Sequence, residues 1–289
     1  MPTATANGIT IEYEAFGAPD DPTVLLVMGF ASQLIHWDPV FCQEIADAGY
    51  RVIRFDNRDV GLSTWFDEAG VPDLLAVLGG QASAPYGLDD MAEDAVGLLD
   101  ALGVPTAHVV GVSMGGMIAQ TLAIAHPERV RTLVSGLSTT GDPSVGQPDV
   151  EALLAVAPTP PATREEAIDQ MVEMWRVIGS PGFPFHEDRV RERSAAAYDR
   201  AFHPEGNVRQ LAAIATQADR TAALAGVAVP TLVVHGTADI LVDPSGGVAT
   251  ARAIPHAELR MVEGMGHDVP PELFEEFVAG LIGHFARGT

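Results

Sequence analysis

The 289-residue sequence predicts an α/β protein: a mostly parallel central sheet flanked by helices and interrupted by a helical insertion. Three observations predict it. Continuous apolar runs such as "TVLLVMG" and "PTLVVHG" read as strands buried on both faces, and they alternate with segments of helical periodicity. One such run, "AHVVGVS", stops at Gly111-Val112-Ser113-Met114-Gly115 and passes at once into the helical pattern "MGGMIAQTLAIAHPE". After Thr140 the alternation breaks into stretches rich in Pro, Gly, Ser and Thr, and it resumes at Pro230.

The elements follow in order. "GITIEYEAFG" alternates with period two and reads as a half-exposed edge strand. "TVLLVMG" is a buried strand, and "DPVFCQEIADAGY" is a helix with Asp38 as N-cap and Gly49 near its end. "RVIRFD" is the next strand. "GLDDMAEDAVGLLDALGV" carries a helical stripe at Met91, Val96, Leu99 and Leu102. The strand "AHVVGVS", its helix and the strand "RVRTLVSGLS" complete this half. Strands alternating with helices imply parallel pairing and right-handed crossovers. The loops "TTGDPSVGQPDV" and "VAPTPPATREEA" open the insertion. Its helices are "REEAIDQMVEMWRVIG", "DRVRERSAAAYDRAF" and "NVRQLAAIATQADRTAALAG". The strand "PTLVVHG", a helix in "GGVATARAI", the strand "AELRMVE" and an amphipathic helix in "PELFEEFVAGLIGHFAR" follow.

Charge and composition narrow the classes of function. Sixteen basic and 39 acidic residues give a net charge of −23, with arginine dominating the basic set and no basic block. Such a surface repels nucleic acid and anionic membranes. The single cysteine, Cys42, excludes an internal disulfide and reads as a packed core thiol. No signal-peptide pattern opens the chain and no apolar run reaches the length of a membrane span, so the expected location is the cytoplasm.

The chemistry is concentrated where strand meets helix. G-x-S-x-G between a strand and a helix forces a tight turn with the serine at its tip, and the glycines remove Cβ atoms that would clash there. The hydroxyl of Ser113 then lies at a helix N-terminus, which favours developing negative charge. Serine is a weak nucleophile, so it needs a base, and the base needs an orienting acid. In this arrangement the acid and then the histidine follow the serine in the chain. Asp239 lies just past the strand "PTLVVHG", and His267 lies in the glycine-bracketed loop of "RMVEGMGHDVP". Parallel strands bring these loops to one edge of the sheet. Asp243 is the rival acid but lies farther from the strand end. His235, inside the strand, is expected to be structural, and Asp268 is expected to be solvated. The oxyanion donors are expected to be the backbone N–H groups of Met114 and of Phe30, in "VMGFASQLIHW".

Over nearly its whole length the chain resembles the α/β-hydrolase superfamily, in "LLVMGF", "VIRFDNRDVGLST", "HVVGVSMGGMIAQTLAIAHPERV", "PTLVVHGTAD" and "VEGMGHDVP". Within it, "LLVMG", "DNRDVGLST" and "GMGH" look most like the actinobacterial esterases related to aclacinomycin methylesterase. The resemblance implies hydrolysis of a carboxylic ester and a helical cap over the site. The core is then 1–140 and 218–289, and the cap 141–217. Many relatives carry His-Gly where this chain has Met28-Gly29, which makes the oxyanion loop less polar. Arg58 of "DNRDVGLST" is expected to pair with nearby carboxylates and fix the loop beside the oxyanion strand.

Trp37, Met171, Trp175 and Phe183 are the candidate substrate contacts, with Met174, Phe185 and Phe202 beside them. The opposing reading is that these side chains pack the cap's own helices. No metal or organic cofactor is called for: the expected partner is a small-molecule ester, and the terminal helix offers a face for a homodimer. Lactone, thioester and carbon–carbon hydrolysis, and perhydrolysis, use the same site and stay open. Dehalogenases and epoxide hydrolases of this fold normally need an aspartate nucleophile, which Ser113 is not. A non-catalytic ligand-binding protein on the same scaffold is the competing class.

Overall fold

The computed structural model describes residues 1–157 and 160–288. Among them, eight strands form one sheet: β1 (Thr3–Ala6), β2 (Ile9–Phe16), β3 (Thr23–Val27), β4 (Arg51–Phe55), β5 (Ala107–Val112), β6 (Val130–Gly136), β7 (Thr231–Gly236) and β8 (Glu258–Val262). Their spatial order is β1-β2-β4-β3-β5-β6-β7-β8. The β1–β2 and β2–β4 pairs are antiparallel and the rest parallel. The fully buried strand β3 sits between β4 and β5, with Val27 opposite Gly111.

The helices are α1 (Pro39–Asp47), α2 (Leu74–Leu78), α3 (Leu88–Ala101), α4 (Met114–Ala125), α5 (Val150–Val156), α6 (Arg164–Ile178), α7 (Glu187–Arg200), α8 (Pro204–Ala215), α9 (Thr221–Leu224), α10 (Ser245–Ala253) and α11 (Phe274–Phe285). Asp38 caps α1 by accepting from the Val40 N–H, and Pro39 supplies the helix-compatible φ at its first position. One apolar layer joins the sheet to α3 and α4 through Met91, Leu98, Ile118 and Leu122. The other joins it to α1 and α11 through Phe41, Ile45, Leu281 and Phe285, and it contains the buried Cys42.

Between β6 and β7 the chain leaves the sheet for α5 to α8, and hydrogen bonds tie this insertion down. Gln33 donates to the Ala197 and Ala201 carbonyls at 2.7 and 2.8 Å. The fully buried Arg209 of α8 forks onto both oxygens of Asp59 at 2.8 Å, and the Tyr86 hydroxyl donates to the same carboxylate at 2.7 Å. A buried carboxylate is tolerable only with this degree of pairing.

Several elements depart from expectation. "GITIEYEAF" is not at the edge, because β1, a short strand of small residues, pairs outside it. The helices α2 and α5 are additional. Leu75 and Leu78 on α2, and Val150 and Leu154 on α5, face solvent, so these segments lack the one-sided stripe that marks a packed helix. The single helix expected after Asn207 is two. Asp219 accepts from the Thr221 N–H at 2.8 Å and restarts the chain as α9. In the break Arg220 turns inward to Gln120 and the Thr139 carbonyl at 3.1 and 3.0 Å. No helix among the described residues is long and apolar enough to cross a membrane.

Candidate active site

Ser113 occupies the turn between β5 and α4 with φ 58° and ψ −125°, a conformation that L-residues avoid. The turn is over-determined. The Ser113 N–H donates to the Gly136 carbonyl at 2.9 Å, and its own carbonyl accepts from the Ser138 hydroxyl at 2.9 Å. A Cβ on Gly111 would meet the Gly115 carbonyl oxygen at 2.1 Å, and one on Gly115 would meet that of Val27 at 2.1 Å. The glycines are therefore required by the approach of β5, α4 and β3, and that approach holds the strained serine in place.

His267 is placed by a second close approach. A Cβ on Gly266 would lie 2.1 Å from the Gly179 carbonyl oxygen, and Gly264 packs against Gly182 with φ +70°. The His267 N–H donates to the Ile178 carbonyl at the end of α6 at 2.8 Å. The insertion thus grips the loop carrying the imidazole.

The three side chains predicted from sequence meet at the carboxyl edge of the sheet. The Ser113 hydroxyl donates to His267 Nε2 at 2.9 Å, and His267 Nδ1 donates to Asp239 Oδ2 at 2.8 Å. A carboxylate only accepts, so Nδ1 carries a proton and Nε2 is the nitrogen that faces the serine hydroxyl. Asp239 is buried, and its other oxygen accepts from the Leu241 and Val242 N–H groups at 2.9 and 3.0 Å. Burial pushes its carboxyl up. The adjoining His267, hydrogen bonds from His235 and His267 and the Val242 N–H outweigh burial and hold it well below the usual carboxylate range. The rival Asp243 instead accepts from the Ser245 N–H at 2.9 Å, just before α10.

His235 is not merely strand packing. Its Nε2 donates to the Val242 carbonyl at 2.8 Å and stands 3.4 Å from Asp239 Oδ2. In a strand that continues, residues four apart share a face but stand roughly 13 Å apart along it. Here the chain turns after Gly236 and folds the Asp239 loop back over His235, which the sequence pattern did not reveal. Asp268 is not solvated: it accepts from the Ser180 hydroxyl. Burial raises its carboxyl, opposed by the Ser180 hydrogen bond and by the charges of Arg193 and His267.

The loop expected to supply an oxyanion donor runs against the serine, since a Cβ on Gly29 would come within 3.1 Å of the Ser113 Cβ. Phe30 follows it, half-buried, and Met114 opens α4. Side chains from two neighbouring segments hold this loop. Asn57 donates to the Met28 carbonyl at 2.9 Å, and Gln210 of α8 accepts from the Ala31 N–H at 2.9 Å while donating to the Arg58 carbonyl at 2.8 Å. Arg58 reaches away to Asp94 on α3 at 2.6 and 2.7 Å, between the rings of Phe66 and Tyr86. Its partner is distant in sequence, and the adjacent Asp56 and Asp59 are taken by Arg200 and Arg209.

A cavity of about 960 Å³ opens over Ser113 and His267, between the sheet edge and the insertion. Trp37, Met171 and Trp175 line it, as do Met174, Phe185 and Phe202. Phe183 does not line it; it packs against the core layer that includes Phe41 and Leu281. The largely apolar lining of this space suits an organic substrate.

The mostly parallel sheet, its crossover helices and the serine turn at the strand–helix junction define an α/β hydrolase. The chain belongs to the family described as serine aminopeptidase, S33, whose model matches residues 18–273. It is 31% identical, over 100% of both chains, to the rhodomycin D methylesterases of a Streptomyces species and of Streptomyces peucetius. Among solved structures, the enol-lactonase from Burkholderia xenovorans superimposes with a TM-score of 0.76 at 23% identity, covering 99% of this chain and 100% of that one. A meta-cleavage product hydrolase from Pseudomonas fluorescens gives 0.78 at 20% identity, with 100% and 98% covered. At these identities the two structures support the fold alone.

Proposed function

We propose that this protein hydrolyses a carboxylic ester through an acyl-enzyme on Ser113. The observation that carries the reading is the pair of linked hydrogen bonds, 2.9 Å from Ser113 to His267 and 2.8 Å from His267 to Asp239. Ser113 Oγ attacks the ester carbonyl carbon while its proton passes to His267 Nε2. The resulting imidazolium is stabilised by the ionised Asp239. The carbonyl oxygen becomes an oxyanion held by the Met114 and Phe30 N–H groups. The intermediate collapses, the carbon–oxygen bond to the leaving alcohol breaks, and Nε2 returns the proton to that alcohol. Water then attacks the acyl-enzyme with His267 as base, releasing the acid and restoring Ser113.

Residues 141–217 act in this account as a cap that excludes water and shapes the pocket. The relatives are named as methylesterases, which favours a small alkoxy leaving group. The cavity of about 960 Å³ favours a bulky apolar acyl part. The test is release of methanol from methyl esters of graded aromatic acids by wild type and Ser113→Ala. Turnover by wild type, lower by about 10⁵-fold or more in the variant, is the expected result. Equal turnover by the two proteins would overturn the assignment of Ser113.

A further inference from the structure

Resting on that reading of the pocket, we propose that Arg193 of α7 forms a recognition site for a carboxylate carried by the substrate away from its scissile ester. Arg193 lines the same cavity as Ser113 and His267. Its guanidinium lies over the Trp175 ring, 5.6 Å from the centroid. Among the described residues it makes no hydrogen bond and no ion pair through that guanidinium.

This leaves a half-buried cation without the partners that such a group normally carries. The carboxylates closest to it electrostatically, Asp268 and Asp38, are already engaged. Asp38 caps α1 and pairs with Arg189, and Asp268 accepts from Ser180. Arg189, one turn earlier on α7, shows the contrast: it has Asp38 as partner and the Phe274 ring beneath it. His36, which lines the same cavity, donates from Nδ1 to the Gln33 carbonyl. Burial, together with the Arg193 charge, pushes the imidazole down to about 3, so it stays neutral and adds no second charge.

Two of the residues that line this cavity also carry unpartnered donors. The indole N–H groups of Trp37 and Trp175 are buried without acceptors. Arg193 therefore presents a guanidinium without a hydrogen-bond acceptor to the cavity, its neighbours Asp268 and Asp38 being committed to other donors. A planar carboxylate matches the fork of a guanidinium whose face is already stacked and whose edges are free. It would bring the acceptor atoms that this guanidinium lacks.

The test is a binding measurement, independent of hydrolysis. Phenylbutyrate and the isosteric phenylbutyramide are titrated calorimetrically into wild type, Arg193→Met and Arg193→Lys, each first checked for a cooperative melt. Wild type is expected to prefer the carboxylate by about ten- to a hundredfold, the range of a charge-assisted hydrogen bond. The preference is expected to vanish in Arg193→Met and to survive in part in Arg193→Lys. Absence of a preference in wild type overturns the proposal whether or not a variant folds. An equal preference in Arg193→Met also overturns it, because the carboxylate is then held at the oxyanion loop. Loss of esterase activity on every ester, with the binding pattern intact, would count against the hydrolytic reading and leave this one standing.

Discussion

Replacing Asp239 by Asn separates the charge of the acid from its shape. The carboxylate does two jobs with two oxygens. Oδ1 accepts from the Leu241 and Val242 N–H groups, and Oδ2 accepts from His267 Nδ1 and faces His235 Nε2 at 3.4 Å. An asparagine can keep its oxygen on the loop N–H groups only by presenting its NH₂ to the two imidazoles. His267 must then accept at Nδ1 and carry its proton on Nε2, where it faces Ser113 as a donor and cannot take the hydroxyl proton. If the amide flips, the loop N–H groups lose their acceptor, at a cost of about 1–3 kcal/mol for a buried unsatisfied group. The first arrangement is the cheaper, and it lowers kcat by about 10⁴-fold, the effect of the wrong tautomer in a serine triad. The assay is steady-state hydrolysis of a p-nitrophenyl ester by wild type, Asp239→Asn and Asp243→Asn, with a thermal melt of each. Asp243→Asn is expected to keep its activity and to soften only the start of α10. Retention by Asp239→Asn of more than about a tenth of wild-type kcat would refute the tautomer argument, since one such misplaced proton is worth several kcal/mol.

Further outcomes follow from the same structure. Because Asp239 is held below the ordinary carboxylate value of 3.8, its ionised form stabilises the fold above that pH, and this contribution is lost as pH falls toward the depressed folded value. Denaturant titrations should therefore show the gap between wild type and Asp239→Asn full near neutral pH and closing in acid. Arg58→Met leaves Asp94 charged and buried between Asn7 and the helix backbone, and should cost about 3–5 kcal/mol in chemical denaturation. Gly115→Ala drives a Cβ to 2.1 Å from the Val27 carbonyl oxygen, so it should lower Tm and abolish activity together. Burial pushes the Cys42 thiol up to about 12, and the native protein should resist iodoacetamide at neutral pH while the unfolded chain reacts.

Those parts of the fold and site that depend on local pattern were legible in the sequence. The run "TVLLV" reads as a buried strand because no polar residue could face solvent there, and β3 is buried along its whole length. Ser113, Asp239 and His267 stand out in the sequence because each follows a strand end and parallel strands share one edge. What was illegible depends on tertiary approach. His235 next to Asp239, Asp94 under Arg58 and Gln210 under the oxyanion loop are joined by folding and carry no spacing signal. The exclusion of Phe183 from the cavity follows from Gly182 docking on Gly264, which turns that loop toward the core. β1 escaped notice because four small residues have no amphipathic alternation to read.

The central claim is that Ser113 is a nucleophile activated by His267. Reaction with a fluorophosphonate followed by intact-mass and peptide analysis tests it most directly. The account predicts a single adduct, located on Ser113, absent from Ser113→Ala and strongly slowed in His267→Ala. A folded wild-type protein that forms no adduct, or one labelled at another residue, would contradict it.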